Sequence, residues 1–251
     1  MGVKVFYLHK NLLFYGAYFS MKLAYLHEKR RILMVKRIPW EIAVCDWNGT
    51  LLDDLELVYG SVKNIFNHFG KTSPSLETYQ NEITADFLSF YKRHGIPAGA
   101  DQELLNSIRK KYFGENGGNV KLSSSAQEFL ETLLRLDLKI GIVSGEANGY
   151  LQDTRLKQFN VKRYFDFVYD GVSDKAKKFK ELLGVFEVNP KTIFYVDDSF
   201  DGIAAAKSAG ITTFAFIHKG SYNSEKKIMA ANPDYVIGNL LEIIPIISRI
   251  E

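Results

Sequence analysis

Apolar residues along this chain follow two periods. Unbroken runs recur at Ile42–Asp46, Leu138–Val143, Phe165–Tyr169, Thr192–Val196 and Thr212–Phe216, with a shorter one at Tyr235–Ile237. Each is too short for a helix and reads as a strand covered on both faces. Between them the spacing turns helical. Ala126, Phe129, Leu130, Leu133 and Leu134 share one face of a helix ending near Leu136, with Ser123 to Ser125 as its cap. Strands alternating with helices predict an α/β fold on a doubly wound parallel sheet.

One stretch departs from that alternation. From Asp54 to Leu122 the apolar spacing is helical throughout: Leu55, Val58, Val62, Ile65, Phe66 and Phe69 form a stripe closed by Gly70. Ala85, Phe87, Leu88 and Tyr91 lie on a second helix closed by Gly95, and a third runs from Leu104 to Phe113. The aromatic positions read as the core of this insertion rather than a ligand box. Lys92, Arg93 and Lys110 read as solvated charges, although an anionic substrate is a second use for them.

Four segments put chemistry at strand ends. Asp46-Trp47-Asn48-Gly49-Thr50 leaves the first strand with a carboxylate and a Gly-Thr turn, at the sheet edge where open α/β folds bind ligands. Ser144-Gly145 offers a hydroxyl and exposed N–H groups to an oxyanion. Asp174-Lys175 opens an amphipathic run with an ammonium, and Asp197-Asp198 closes another strand with adjacent acids that repel unless a cation neutralises them. Each has a plainer reading alone: a cap, an ordinary strand exit, a helix-start lysine, a turn. Their order is what shifts the balance.

In this order the segments resemble the motif set of the haloacid dehalogenase superfamily, over roughly Trp40 to the C-terminus. The run from Asp197 to Gly210 is similar to that family's acid-rich loop and following helix. The resemblance implies a Rossmann-like core from 40–53 and 123–251, a small all-helical cap from 54–122, and an N-terminal extension over 1–39. It implies Mg2+ held by Asp46, the backbone carbonyl of Asn48 and Asp198, with Asp197 in the metal shell or ligating through water. Asp46 would attack phosphorus to give an aspartyl phosphate, while Ser144, Lys175 and N–H groups near Gly49, Thr50 and Gly145 hold the equatorial oxygens. Asp201 does not match the commoner family spacing.

The family's usual second carboxylate, two residues after the nucleophile, is Asn48 in this chain. An amide cannot shuttle a proton, and such general acid-base help is worth roughly 10² to 10⁴ in rate. The expected function is a magnesium-dependent phosphatase for a small phosphorylated molecule, like the phosphoglycolate phosphatase branch. A sugar-phosphate phosphomutase and a phosphate-binding pseudophosphatase are the alternatives. Dehalogenation would leave Asp197 and Asp198 without purpose. Asn48→Asp is expected to raise the rate if a general acid limits turnover.

Composition narrows the setting. With 251 residues, 46% of them hydrophobic, the chain can bury one substantial core plus a small accessory domain. Cys45 is the single cysteine, which excludes a disulfide framework and suits a reducing cytoplasm; the five scattered histidines make a zinc site unexpected. Eight basic residues against Glu28 put +7 in the first forty positions, which leaves the remainder at −4 of the net +3. That acidic body carries no footprint for nucleic acid, and a monomer is the default. Val3 to Leu26, interrupted by Lys10 and Lys22, is too short between charges for a spanning helix of roughly 20 residues. Membrane-surface contact through residues 1–31, an extra helix packed on the body, or a translation start at Met21 or Met34 each account for this segment.

Overall fold

Ile42–Cys45 (β1) is buried at every residue because it has a parallel neighbour on each side. In the computed structural model, which describes residues 38–146 and 149–249, those neighbours are Lys139–Val143 (β4) and Ile193–Asp197 (β6). Phe167–Tyr169 (β5), Thr212–Phe216 (β7) and Tyr235–Ile237 (β8) complete a parallel sheet of order β5-β4-β1-β6-β7-β8. The direction of strand addition reverses at β1, which opens the ligand-binding crevice of a doubly wound sheet there. The register pairs Cys45 with Val196, and the Asp46 N–H still donates to Val196 O at 2.9 Å. Asp46 therefore emerges beside Asp197.

Strand ends differ slightly from the apolar runs, for local reasons. Phe165 and Asp166 stop short of β5, where the Asp166 carboxylate accepts the Ile140 N–H at 2.8 Å. Thr192 is held in a turn by Asn189 O at 2.9 Å, and β6 runs on through Asp197. Helices cover the sheet. Lys175–Phe186 (α7) and Phe200–Ser208 (α8), which follow the short helix Leu156–Gln158 (α6), bury Phe179, Leu182 and Ala206 against β1 and β6. Ala126–Arg135 (α5) buries Phe129, Leu130 and Leu133, but Leu134 is 44% exposed and leaves the predicted stripe. Its predicted serine cap is also corrected. Ser125 occupies the cap position without a side-chain hydrogen bond, and Ser123 Oγ donates to Thr50 O at 2.6 Å instead.

The insertion holds four helices rather than three. Leu55–His68 (α1), Leu76–Glu82 (α2), Phe87–Arg93 (α3) and Gln102–Asn116 (α4) lie between two short strands, Leu52–Asp53 (β2) and Lys121–Leu122 (β3). Those strands pair antiparallel and bring the ends of the insertion together. Ser75, Asp86 and Asp101 each accept a first-turn N–H, which fixes where α2, α3 and α4 begin; Ala85 lies outside α3. The aromatic stripe is core: Phe66, Tyr79, Phe90, Tyr91 and Leu105 pack together, with Tyr79 and Phe90 edge to face at 5.6 Å. Each such ring is worth about 2 to 3 kcal/mol in burial, as an upper bound. Lys92, Arg93 and Lys110 are exposed.

Residues 39–249 form one compact unit. Among the described residues no helix is long and apolar enough to cross a membrane. The readings of residues 1–31, and of Met21 and Met34 as starts, lie outside the described residues.

Candidate active site

The carboxyl ends of β1 and β6 set three carboxylates in one buried cluster. Asp46, Asp197 and Asp198 each offer an oxygen within 4.8 Å of the others. Lys175, at the start of α7, reaches into it and donates to Asp46 Oδ1, Asp197 Oδ2 and the Tyr195 hydroxyl, each at 2.8 Å. Three of the four distant segments thus meet here, with Lys175 as their hub. Tyr195 was not foreseen. As an alternate residue of a buried strand it reads as core, yet its hydroxyl donates to Asp197 Oδ2 at 2.5 Å.

Asp197 and Asp198 differ in their surroundings. Asp197 accepts Lys175 and Tyr195 on one oxygen and the Ser199 N–H, at 2.7 Å, on the other. Both its oxygens thus accept from protein donors, the Lys175 ammonium among them. Asp198 accepts the Thr50 hydroxyl at 2.8 Å and the Tyr222 N–H at 2.6 Å. Two glycines permit this density: a Cβ on Gly49, whose φ is +75°, would lie 2.2 Å from Asp198 Oδ2, and one on Gly202 would lie 1.7 Å from Asp197 Oδ2. Asp201, the residue off the family spacing, turns away and accepts the Ala85 N–H at 2.7 Å.

Electrostatics follow from burial and the excess of acids. Burial pushes the Asp46 carboxyl up to about 7, with Lys175 opposing and Asp197 reinforcing the shift. Asp198 is held well above the ordinary carboxylate range by burial, Asp197 and Asp46. Burial works against the Lys175 ammonium, but Asp197 and Asp46 outweigh it and hold the group above its ordinary range. Three buried acids against one ammonium leave negative charge that a divalent cation would neutralise, and an all-oxygen donor set suits a hard ion such as Mg2+. The residues present fit that ion.

The Asn48 side chain is tied in place. Its Nδ2 donates to Asp54 Oδ2 at 2.8 Å and to Glu146 Oε2 at 3.1 Å. Asp54, at the mouth of α1, also accepts the Gly49 N–H at 3.1 Å, and burial pushes its carboxyl up to about 6 against the Asn48 hydrogen bond. The Gly49 N–H donates to Leu52 O as well, at 2.9 Å, so this donor and the Thr50 hydroxyl are committed inside the protein. Ser144 is buried behind Asn48, with its Oγ 3.5 Å from Asn48 Oδ1, and Gly145 is exposed beside it. His218 closes the turn, its Nε2 lying 2.7 Å from Gly49 O. Asp54, Glu146, His218 and Tyr222 carry no motif spacing and were not foreseen; only the proximity of Asp54 to Asp46 in sequence could have drawn notice. Cys45 is buried, and burial and Asp46 push its thiol up, away from reactivity.

A family model described as haloacid dehalogenase-like hydrolase matches residues 43–216. A pyrophosphatase, PpaX, from Bacillus mycoides is 23% identical over 210 residues, covering 82% of this chain and 95% of that protein. A phosphoglycolate phosphatase from Vibrio parahaemolyticus is 26% identical over 217 residues, covering 81% and 94%. The crystal structure of a predicted phosphoglycolate phosphatase from Haemophilus somnus superposes with a TM-score of 0.67 at 23% identity, covering 83% of this chain and 98% of that one.

Proposed function

This chain belongs to the haloacid dehalogenase-like hydrolases, and from that membership we propose that it is a Mg2+-dependent phosphatase acting on a small phosphomonoester or phosphoanhydride through an aspartyl phosphate on Asp46. The observation that carries this reading is the Lys175 ammonium, bonded at once to Asp46 and Asp197 inside a cluster of three acids. We assign residues 40–53 and 123–251 to the catalytic core and 54–122 to a cap over the site. Asp46, Asp198 and the Asn48 carbonyl would hold Mg2+, which when bound neutralises the phosphoryl group and the attacking carboxylate.

A carboxylate oxygen of Asp46 attacks phosphorus, the ester oxygen leaves, and water cleaves the acyl phosphate to return the carboxylate and inorganic phosphate. Lys175 holds Asp46 in place and offers positive charge to the phosphoryl oxygens, joined by the Ser144 hydroxyl and the Gly145 N–H. Asp197 and Tyr195 fix the ammonium. Gly49 and Thr50 shape the turn and steady Asp198.

Asn48 bears on the leaving group. With both Asp54 and Glu146 accepting from its Nδ2, it serves as a hydrogen-bond donor and moves no proton. Leaving groups that depart without protonation are therefore favoured, and phosphate, displaced from pyrophosphate as the name of the Bacillus mycoides relative describes, is one of them. The test is phosphate release from phosphoglycolate, inorganic pyrophosphate and alkyl phosphates, with and without Mg2+. Release that needs Mg2+, is lost in Asp46→Asn and is faster for pyrophosphate than for alkyl esters supports the proposal. Release no greater than that of Asp46→Asn on every compound overturns it.

A further inference from the structure

The turn from α2 into α3 is gripped by the loop that follows β7. Asn223, only 3% exposed, donates its Nδ2 to Gln80 O and Ile83 O at 3.2 Å each. Its Oδ1 accepts the Phe200 N–H at 2.8 Å, at the start of α8. Around it the Ser224 N–H donates to Gln80 O at 3.1 Å, Gln80 Nε2 donates to Ser221 O at 2.8 Å, and Lys227 Nζ donates to Ile83 O. None of these bonds serves the chemistry proposed for the cluster. They fasten the helical insertion to the loop after β7.

The residue just before Asn223 reaches the acid cluster through its backbone. Its backbone N–H, that of Tyr222, donates to Asp198 Oδ2 at 2.6 Å, and its ring packs against the insertion core and against Gly49, where a Cβ would lie 2.5 Å from Tyr222 Cδ2. One short loop thus holds the insertion with one residue and a cluster carboxylate with the next. A carboxylate that ligates a metal depends on its outer hydrogen bonds for orientation, and removing such a partner weakens metal binding by about 10- to 100-fold.

We propose that Asn223 is a positioning residue that couples the seating of the helical insertion to the metal affinity of the site, through the Tyr222 N–H that orients Asp198. It rests on the reading of Asp198 as a metal ligand. When the insertion is seated, Asn223 keeps the loop closed on Asp198; when the turn at Gln80 to Ala85 lifts away, the loop loosens and Asp198 loses one of its two donors. Linkage makes the effect reciprocal, so Mg2+ steadies the seated insertion by the same factor.

Asn223→Asp tests this in the full chain. It keeps the side chain's size and the acceptor for Phe200 N–H but turns the donor into an acceptor facing two carbonyls. Hydrogen exchange across residues 76–93 and Mg2+ affinity by calorimetry are the readouts. Exchange over 76–85 is expected to rise at least about tenfold, and Mg2+ binding to weaken about five- to tenfold. Faster exchange with unchanged Mg2+ affinity marks Asn223 as a docking residue alone and overturns the coupling, as do unchanged exchange and absence of Mg2+ binding by the unaltered chain. If Asn223→Asp fails to fold, Gln80→Ala is read instead, with smaller shifts expected in both quantities; unchanged affinity there overturns the coupling too. Neither readout involves turnover. A chain that shows both shifts but releases no phosphate keeps the coupling and loses the phosphatase reading, whereas ester hydrolysis with unchanged affinity in the variant does the reverse.

Discussion

Asn48 shows why a single substitution read from a motif can mislead. From the family pattern alone, Asn48→Asp adds the acid that is missing. Its surroundings are built for an amide: Asp54 and Glu146 both accept from Nδ2, and a carboxylate in its place would face two others. We expect Asn48→Asp alone to lower stability by about 2 kcal/mol, through lost hydrogen bonds and like-charge contact in a half-buried position. The exchange Asn48→Asp with Asp54→Asn restores an amide facing a carboxylate and should recover more than half of that loss, a positive coupling in a double-mutant cycle measured by urea unfolding. Additive losses would show that the pair does not interact. The exchanged form is also the proper test of the missing acid: hydrolysis of alkyl phosphates should rise in it toward the roughly 10² that a general acid supplies. That Asp46, Lys175, Asp197 and Asp198 lie together was legible from the order in which acids and an ammonium follow strand and helix ends, each being weak alone. Tyr195 and Tyr222 were not, because a hydroxyl or a backbone N–H acquires its role only from what the folded chain places opposite it.

Strands buried on both faces carry their signal in composition, and this explains why β1, β4, β6 and β7 were read within a residue or two. Helix α2 was missed for the opposite reason. It is seven residues long, buries only Tyr79, and is specified mainly by Ser75 accepting the Thr78 N–H. The β2–β3 pair, two residues in each strand, is too short for any period to show. At the far edge of the sheet, side chains secure what strand length does not. Asp234, just before β8, accepts the Thr213 N–H and hydroxyl at 2.8 Å and Lys207 Nζ at 2.9 Å. Partial desolvation opposes ionisation, but Lys207 and Thr213 outweigh it and hold the Asp234 carboxyl below its usual range. A depressed folded value means that the stabilisation is present above the unfolded value of about 4 and is lost as pH falls through the folded one. Asp234→Asn should therefore cost about 1 kcal/mol at pH 7, discounted for the exposure of the pair, and the gap to the unaltered chain should close below about pH 4. Thermal unfolding across pH 3 to 7 measures it; a gap independent of pH would refute the assignment.

The whole fold converges on a site that opposes its own stability. Six parallel strands aim their carboxyl ends at one crevice, and two of them deliver three acids to a place where one ammonium answers. Burial lifts Asp46 to about 7. An acid with a raised folded value costs stability on ionising, from about pH 4 upward and in full above about 7. Without metal at pH 8, Asp46→Asn should thus unfold at a higher temperature than the unaltered chain, because it removes a buried charge while leaving an oxygen for Lys175. Saturating Mg2+ should invert that order. A cation bound at 100 times its dissociation constant adds about 2.7 kcal/mol, or about 5 to 10 °C for a folded body of this size. The variant, short of one carboxylate ligand, should gain less than half of that shift. Thermal unfolding of both chains with and without 10 mM Mg2+, a concentration on the order of 100 times a dissociation constant near 0.1 mM, decides it. If the unaltered chain is the more stable without metal, the acid cluster is already balanced by the protein and has no need of a cation; if the order inverts, the same charge excess that weakens the empty fold is what draws the ion and, with it, the phosphoryl group.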